Sequence, residues 1–381
     1  MQELTYAELF AGAGGLSMGL EAAGFHAIAH AEIEPHARAV LRHRWPETRL
    51  DGDVTQINGA DYSGCTLLSG GSPCQDLSVA GKRAGLGGAR SGLFYDQVRT
   101  WNESGAPYLL WENVAGALSS NHGKDFAAVL SALVGATITV PADGWRGGGV
   151  AAGREAVAAW RVLDLQHFGP PQRRVRVFVL AARTGGVDPA QVLALGEGVC
   201  GHSSPRSQAR EKTPVGLIGR FEGGSVGTLE TRPQRAGAHE AAQGHVIAFG
   251  ANNSASQGDS VSEDGTGRGT PIVVPTLSMG AHTAGPGSNG QDALQYAAIT
   301  TAFAGRPRRL TPKECERLMG WPDDHTSYGT REDGTVYELS DTARYRLCGN
   351  GVGSVQVQWI AERLAAAVTA QQNGPLIQGA A

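Results

Sequence analysis

The sequence predicts an α/β protein with a doubly wound, mostly parallel sheet and a second domain inserted late in the chain. Across residues 1–183, short apolar segments alternate with segments of helical periodicity, the pattern of a parallel sheet covered by helices on both faces. From 184 to 305 the chain is rich in Gly, Ser, Pro and Asn, and the helical period is lost. A helical pattern resumes at 306. We therefore expect one α/β domain interrupted by a loop-rich, β-leaning region.

Within the first part, the strands are predicted from short apolar runs and the helices from their end signals. The segment 15–24 is closed by Gly24, and the segment 35–45 carries Pro35 near its first turn. Residues 139–160 precede the last apolar run and are expected to form a surface excursion. The predicted strands are 4–10, 26–32, 66–70, 107–114 and 175–182.

After the insertion, two helices are predicted. In the segment 310–321, Thr311 is the expected N-cap, Pro312 occupies the first helical position and Glu314 completes a capping box. The segment 354–368 must pack back on the first part of the chain to bury its apolar face. Residues 306–369 are thus expected to return to the first domain, and 370–381 to form a flexible tail. The apolar face comprises Val357, Ile360, Leu364 and Val368.

Bulk properties narrow the class of protein. The 381 residues include five cysteines without a C-x-x-C pair, so neither a zinc cluster nor a disulfide framework is expected, and a reducing, cytoplasmic setting fits best. Neither a signal peptide nor a membrane span is predicted. The net charge of −4 does not indicate a nucleic-acid partner. Basic residues nevertheless cluster at 38–45, 172–177 and 306–313, and such local stripes can bind phosphates.

A glycine-rich turn indicates a cofactor site. The sequence FAGAGG at 10–15 joins the first strand to the first helix, where a backbone without side chains can approach a ligand. Glu32 follows about 20 positions later and is placed to bind ribose hydroxyls, and Asp53 is placed to contact an adenine amino group. Ser17 stands where a dinucleotide fingerprint has its third glycine. The pattern therefore favours an adenosine-bearing cofactor other than a dinucleotide.

A thiol and a carboxyl group are predicted at the same edge of the sheet. Cys74 follows Pro73 in GGSPCQDLS, directly after a strand, and Glu112 ends the next apolar run in WENV. The carboxyl ends of parallel strands meet at one edge, so both side chains should lie beside the glycine turn. Proline stiffens the turn, so Cys74 is either a reactive thiol held at a fixed position or an ordinary turn residue.

These motifs resemble those of the DNA (cytosine-5) methyltransferases in order and spacing, over about 4–183 and 306–366. The resemblance implies a Rossmann-like methyltransferase domain, S-adenosylmethionine as cofactor, and a target-recognition domain at 184–305. Duplex DNA would lie between the two, bound by a monomer without metal. A restriction endonuclease acting on the same site is a candidate partner. The motifs are FAGAGG, SPCQ, ENV, QRRVRVF, RRLTPKECERLMGWPDD and GNGVGS.

The resemblance also implies a role for individual residues. Cys74 would attack C6 of a flipped cytosine, Glu112 would hold and protonate N3, and Arg174 and Arg176 would contact the base and steady the site. The implied cofactor residues are Phe10, Ala11, Gly12, Gly14, Gly15, Glu32, Ile33, Asp53, Val54, Pro73, Leu93 and Asn350. The implied DNA contacts are Gln75, Ser78, Gln172, Arg173, Arg306, Arg308 and Arg309.

Three other interpretations differ in substrate or class. A tRNA cytosine-C5 methyltransferase would need a compact recognition region, which the long insertion disfavours. A catalytically silent DNA-binding module would need neither Cys74 nor Glu112. A nicotinamide dehydrogenase is disfavoured by Ser17 and leaves Cys74 unexplained.

Overall fold

The computed structural model describes residues 3–73, 92–195 and 310–373, together with the backbone of four short strands between the last two ranges. Three of these strands lie within the predicted insertion and the fourth at its end. They are β10 (Val246–Ala248), β11 (Val274–Pro275), β12 (Ala298–Thr300) and β13 (Pro307–Arg308). Strands β10, β12 and β13 form a small sheet of their own.

An eight-stranded sheet organises the fold, in the order β3-β2-β1-β4-β5-β9-β7-β6. The first five strands are parallel, and the last three join through antiparallel pairs. A separate two-residue strand, β8 (Gln172–Arg173), pairs with β11. The eight strands are β1 (Thr5–Leu9), β2 (His26–Ala31), β3 (Arg49–Asp51), β4 (Leu67–Gly70), β5 (Tyr108–Val114), β6 (Gly148–Ala152), β7 (Ala156–Asp164) and β9 (Val175–Arg183).

Helices cover both faces of this sheet, as the doubly wound prediction requires. One face is covered by α1 and α8, and the opposite face by α3 and α4. A third apolar cluster joins α2 to α6 and α7. The helices are α1 (Gly15–Ala22), α2 (Pro35–Arg44), α3 (Leu93–Ser104), α4 (Lys124–Val134), α5 (Pro189–Val192), α6 (Pro312–Leu318), α7 (Asp341–Asn350) and α8 (Ser354–Asn373).

The last helix packs against the first part of the chain. Helix α8 packs against α1 so closely that a side chain at Gly19 would meet the Ser354 carbonyl oxygen at 2.4 Å. Its predicted apolar face is buried. The capping box at Thr311 and Glu314 is also present. The final hairpin, β14 (Tyr328–Thr330) with β15 (Val336–Glu338), packs on α2.

Two boundaries differ from those predicted. The expectation of a surface excursion at 139–160 is wrong, because residues 148–164 form β6 and β7 of the main sheet, with Ala158 and Trp160 buried. Helix α8 continues to Asn373, so 370–373 are helical. Residues 354–373 contain no glycine or proline that would end the helix before Gly374.

The first residues of the predicted insertion belong to the sheet domain, because Val192 and Leu193 pack into its core. None of the helices described is long and apolar enough to cross a membrane.

Candidate active site

The glycine turn between β1 and α1 leaves an open space at the carboxyl edge of the sheet. The amide of Ala11 donates to the Ala31 carbonyl at 3.1 Å, and that of Gly12 donates to Glu32 Oε2 at 2.7 Å. Gly12 has a φ of +56°, and among the described residues no atom beyond its two chain neighbours lies within 4 Å of the position that a Cβ would take. The turn is therefore bound to β2 from behind, while its outer side can receive a ligand.

The next two glycines are enclosed by side chains and backbone from elsewhere in the chain. A Cβ at Gly14, which has a φ of +82°, would lie 2.4 Å from the Trp45 ring. A Cβ at Gly15 would lie 2.8 Å from the Val352 carbonyl oxygen. These positions require glycine because any side chain would collide with the packing that holds the turn in place.

The end of β2 presents a carboxylate beside an exposed aliphatic side chain. Glu32 Oε1 accepts hydrogen bonds from the amides of Ile33 and Glu34, each at 2.8 Å. The Ile33 side chain is 68% exposed, although large aliphatic side chains elsewhere in this domain are mostly buried. An exposed apolar side chain next to a fixed carboxylate can bind a flat apolar ring and hydroxyl groups together.

Arg38 joins this rim to the neighbouring strand. Its Nη1 donates to the carbonyl of Glu32 at 2.7 Å and to that of Asp51 at 2.5 Å, which links the ends of β2 and β3. Asp53 follows β3, where its carboxylate accepts from the Thr55 amide at 2.9 Å. The predicted ribose and adenine contacts thus lie on adjacent strand ends that one arginine connects.

The turn that leads to Cys74 is attached to the ENV strand. Asn113 Nδ2 donates to the Ser72 carbonyl at 2.9 Å, and Trp111 Nε1 donates to Ser72 Oγ at 2.9 Å. A Cβ at Gly71 would lie 3.0 Å from Glu112 Oε2. Gly71 therefore lies beside the Glu112 carboxyl group, and Ser72 is hydrogen-bonded to the two residues that flank Glu112. Cys74 itself lies outside the described residues.

The Glu112 carboxyl group is buried and ion-paired. Glu112 Oε1 lies 3.0 Å from Arg176 Nε, and both side chains are only 10% exposed. Strand pairing creates this contact, because Val114 of β5 lies opposite Arg176 of β9. Burial raises the pKa of the Glu112 carboxyl, while the charges of Arg176 and Arg174 oppose that shift. Burial thus favours the protonated form of this carboxyl group, and the ion pair with Arg176 favours the carboxylate.

The Arg174 side chain holds the turn of the GNGVGS motif (349–354) by hydrogen bonds. Its Nη2 donates to the carbonyl of Gly351 at 2.5 Å and to that of Gly349 at 3.3 Å. Its own amide donates to Asp164 Oδ1 at 3.1 Å. Burial lowers the pKa of the Arg174 guanidinium, and the charge of Arg176 adds to that effect. The Arg174 side chain is buried against the returning segment.

A family model for C-5 cytosine-specific DNA methylase matches residues 4–194 and 223–366. The chain belongs to this family.

Three curated relatives are all named methyltransferases, although one of them is named for adenine methylation. Over 98% of its length, the chain is 26% identical to a protein of Escherichia phage P1 named DNA N-6-adenine-methyltransferase, of which the match covers 63%. It is 27% identical over 93% of its length to type II methyltransferase M2.BsuMI of Bacillus subtilis, of which 74% is covered. The highest identity among these, 42%, is to M.NgoMIV of Neisseria gonorrhoeae, over 48% of this chain and 52% of that protein. The chain thus spans less than two thirds of two of these three relatives.

Two solved structures show the same fold at 17% identity. One is a prophage-encoded protein of E. coli described as a DNA modification methyltransferase, with a TM-score of 0.55, covering 96% of this chain and 99% of that one. The other is S. pombe Dnmt2 methyltransferase, with a TM-score of 0.51, covering 97% and 99%. The Rossmann-like methyltransferase fold is confirmed.

The remaining predicted cofactor residues of this family member lie around the same edge. Phe10 is half-buried with a φ of +56°, and Leu93 is half-buried at the first position of α3. Pro73 is exposed at the end of the described turn, and Asn350 is exposed at the end of α7. Val54 is buried beneath Asp53. The cofactor roles of these residues stay predictions.

The predicted DNA contacts are only partly described. Gln172 is buried, and Arg173 Nε lies 3.8 Å from Asp164 Oδ2. Arg308 belongs to the backbone of β13. Gln75, Ser78, Arg306 and Arg309 lie outside the described residues. These assignments stay predictions.

The arginines of the basic run at 38–45 bind other residues of the protein and do not form an open basic surface. Arg38 links two strand ends, as above, and Arg42 pairs with Glu332 at 2.6 Å. Arg44 donates to the carbonyls of Asp324 at 2.5 Å and His325 at 2.9 Å. Sequence composition alone does not distinguish such anchoring arginines from phosphate contacts.

A buried polar cluster beneath the glycine turn was not predicted. Ser17 Oγ donates to Glu8 Oε2 and lies 2.8 Å from His30 Nε2. All three side chains are buried. The serine that departs from the dinucleotide fingerprint thus has a structural role, and the polar residues Glu8 and His30 inside apolar strands were the available signal. Within the described ranges, no group of three or more His, Cys, Asp or Glu side chains could hold a metal ion.

Proposed function

We propose that this protein is a DNA (cytosine-5) methyltransferase that uses S-adenosylmethionine. The observation that carries the proposal is the attachment of the turn at Gly71 and Ser72 to β5, with Gly71 beside the buried carboxyl group of the Glu112–Arg176 pair, at the sheet edge that holds the open glycine turn. A thiol at position 74 would follow directly from a turn anchored at Ser72. Family membership supports the same reaction.

The residues at this edge fit the proposed cofactor. The open space at Gly12 gives an adenosine-bearing ligand access to the backbone, and the exposed Ile33 and half-buried Phe10 offer apolar surface for a purine ring. Glu32 and Asp53 supply carboxylates for hydroxyl and amino groups. The rest of the proposed cofactor site would be formed by Gly14, Gly15, Pro73, Leu93 and Asn350. When bound, the cofactor supplies an electrophilic methyl group.

The chain's own residues would make cytosine C5 reactive. C5 is a poor nucleophile in the unmodified ring, so we propose that the Cys74 thiolate adds to C6 while Glu112 gives a proton to N3. The C5=C6 electron pair is thereby released as an enamine, which is nucleophilic at C5. After methylation, water takes the C5 proton, the thiolate leaves C6 as the C5=C6 bond re-forms, and the N3 proton returns to the Glu112 carboxylate, which restores the ring and the acid. Because a free thiol has a pKa of about 8.5, nearby arginine charge would increase the thiolate fraction.

Glu112 has the environment that this proton transfer needs. Burial favours its protonated form, and Arg176 at 3.0 Å fixes the carboxyl group and stabilises the carboxylate that remains after donation. Arg174 would act through the Gly349–Gly351 turn, which it holds by two hydrogen bonds. Catalysis would thus depend on a positioned proton donor rather than on an exposed acid.

The reaction requires the target base to leave the duplex, at a cost of a few kcal/mol. We propose that the target-recognition domain lies within residues 184–305, after the segment around Val192 and Leu193 that packs into the sheet domain. The proposed DNA contacts are Gln75, Ser78, Gln172, Arg173, Arg306, Arg308 and Arg309. Phosphate contacts would fix the register of the duplex without reading its sequence. We further propose a cytoplasmic monomer, with a restriction endonuclease of the same site specificity as the candidate partner.

Product analysis tests the proposal. Purified protein is incubated with cofactor carrying a labelled methyl group and with either plasmid DNA or bulk tRNA, and the nucleosides are then separated. We expect labelled 5-methylcytosine in DNA only, and bisulfite sequencing of plasmid from an expressing host would give the target site. Labelling confined to tRNA would reject the DNA substrate. Labelled N6-methyladenine would reject cytosine chemistry in favour of the activity named for the phage P1 relative, more than a third of which lies outside the match.

A further inference from the structure

A histidine from the returning segment contacts the glycine turn. His325 lies in the loop between α6 and β14, and its Nε2 is 2.7 Å from the carbonyl oxygen of Ala13. Both residues are buried, and 312 positions of sequence separate them. A carbonyl oxygen only accepts hydrogen bonds, so Nε2 must carry the proton and donate it.

The ring is held in a defined orientation by two indoles. Its centroid lies 5.9 Å from that of Trp45 and 5.6 Å from that of Trp321, and both contacts are edge-to-face. The same two indoles enclose the glycines of the turn, with Trp45 against Gly14 and Trp321 against Gly15. Burial lowers the pKa of the His325 imidazole to about 4, so the ring is neutral at physiological pH.

The loop that carries His325 is itself fixed by a buried ionic network. The carboxylate of Glu316, which is fully buried, accepts the amide of Asp324 at 2.8 Å and that of Thr326 at 2.8 Å. Arg344 Nη2 neutralises this carboxylate at 3.1 Å. Asp324 has a φ of +59°, a conformation that non-glycine residues rarely adopt. The network thus fixes the backbone on both sides of His325.

His325 completes the set of restraints on the turn. The amides of Ala11 and Gly12 are bound by β2 and by Glu32, and the Gly14 amide donates to the Ala11 carbonyl at 2.8 Å. Without the imidazole, the buried Ala13 carbonyl would lose its hydrogen bond, and the peptide between Ala13 and Gly14 could rotate. The open space at Gly12 would then lose its shape before any ligand arrived.

We propose that His325 is a positioning residue for the cofactor site: its imidazole fixes the glycine turn in the conformation that binds the adenosyl group. This inference rests on the proposed function. The histidine touches neither the ligand nor the base, so its loss should weaken cofactor binding and leave the chemical step intact. Preorganisation of this kind changes affinity because the unbound protein no longer holds the binding conformation.

Titration calorimetry with S-adenosylhomocysteine tests this proposal. In His325→Phe, which retains an aromatic ring and removes the donor, we expect about tenfold weaker binding. The turnover number at saturating cofactor should stay within about twofold, so that the loss falls on KM. His325→Gln, whose amide can donate, should recover most of the affinity. His26→Phe, an exposed histidine at the opposite end of β2, is the matched control and should bind as the wild type does.

The outcomes separate the two proposals. If wild-type protein does not bind S-adenosylhomocysteine, the proposed function fails first. If wild type binds and His325→Phe binds equally well, or if His325→Gln is as weak as His325→Phe, the positioning role is wrong. Should His325→Phe not fold, His325→Asn takes its place with the same expectation, because its shorter amide cannot reach Ala13. Circular dichroism confirms folding of every variant before titration.

Discussion

Replacing Glu8 by glutamine should remove a pH-dependent penalty on stability. Glu8 is buried on β1, where Ser17 donates to it, and His30 lies beyond that serine. Burial raises the pKa of the Glu8 carboxyl to about 8, from about 4.5 in a solvated chain, although the Ser17 hydrogen bonds partly oppose the shift. The folded protein therefore holds a proton that the unfolded chain releases.

The sign and size of the effect follow from proton linkage. A group with a raised folded-state pKa contributes its full stability below the unfolded value, here about 4.5, and loses it as pH rises toward about 8. At about 1.36 kcal/mol per pKa unit, the loss between pH 5 and 7.5 is about 3 kcal/mol. Glutamine resembles the protonated carboxyl and does not titrate. The difference in free energy of unfolding between Glu8→Gln and wild type should therefore shift by about 3 kcal/mol in favour of the variant as pH rises from 5 to 7.5.

Equilibrium urea unfolding at pH 5.0, 6.5 and 7.5, followed by tryptophan fluorescence, measures this difference. Subtracting wild type from variant cancels all other titrating groups, including the histidines. A constant offset between the two proteins at all three pH values would refute the reasoning, because it would mean that Glu8 binds no extra proton on folding. A difference that grows as pH falls would contradict the sign.

Three further predictions concern other parts of the domain. Burial lowers the pKa of both His30 and His325 to about 4, so these two histidines should oppose the Glu8 contribution and cost stability as pH drops from 6.5 toward 4. His30→Phe should therefore gain stability relative to wild type over this range in acid unfolding. The new Cβ in Gly14→Ala would lie 2.4 Å from the Trp45 ring, whereas Gly24 has a similar left-handed φ and no described neighbour within 4 Å of its Cβ position. Thermal unfolding should therefore show a Tm several degrees lower for Gly14→Ala than for Gly24→Ala. Glu112→Gln should fold and bind cofactor normally but lose 10²- to 10⁴-fold in the rate of methyl transfer, and a rate near that of wild type would exclude it as proton donor.

The parallel half of the fold was predictable because its signals are local. Strands β1, β2, β4 and β5 each coincide with a short, mostly apolar run, α1 ends shortly before Gly24, and α2 begins at Pro35. The wrong assignment of 139–160 has a physical cause. Strand β7 is rich in alanine, which has little β propensity, and β6 begins in a glycine run. Their strand conformation comes from pairing with β9, which a local pattern does not record.

The site was predictable where topology alone brings residues together. Glu32 and Glu112 follow from strand ends that meet at one edge. Contacts across long sequence separation were not accessible in this way, among them Arg174 with Gly351 and His325 with Ala13. These depend on how the returning segment packs, and no periodicity encodes that packing.

Covalent trapping tests the central claim, that the sulfur of Cys74 bonds to the base during catalysis. Duplex DNA in which 5-fluorocytosine replaces cytosine at the target site is incubated with protein and S-adenosylmethionine, then resolved by denaturing electrophoresis. Because fluorine cannot leave C5 as a proton does, the wild-type adduct should persist, and Cys74→Ala should give none. An adduct in Cys74→Ala, or an active wild-type enzyme that is never trapped, would contradict the account.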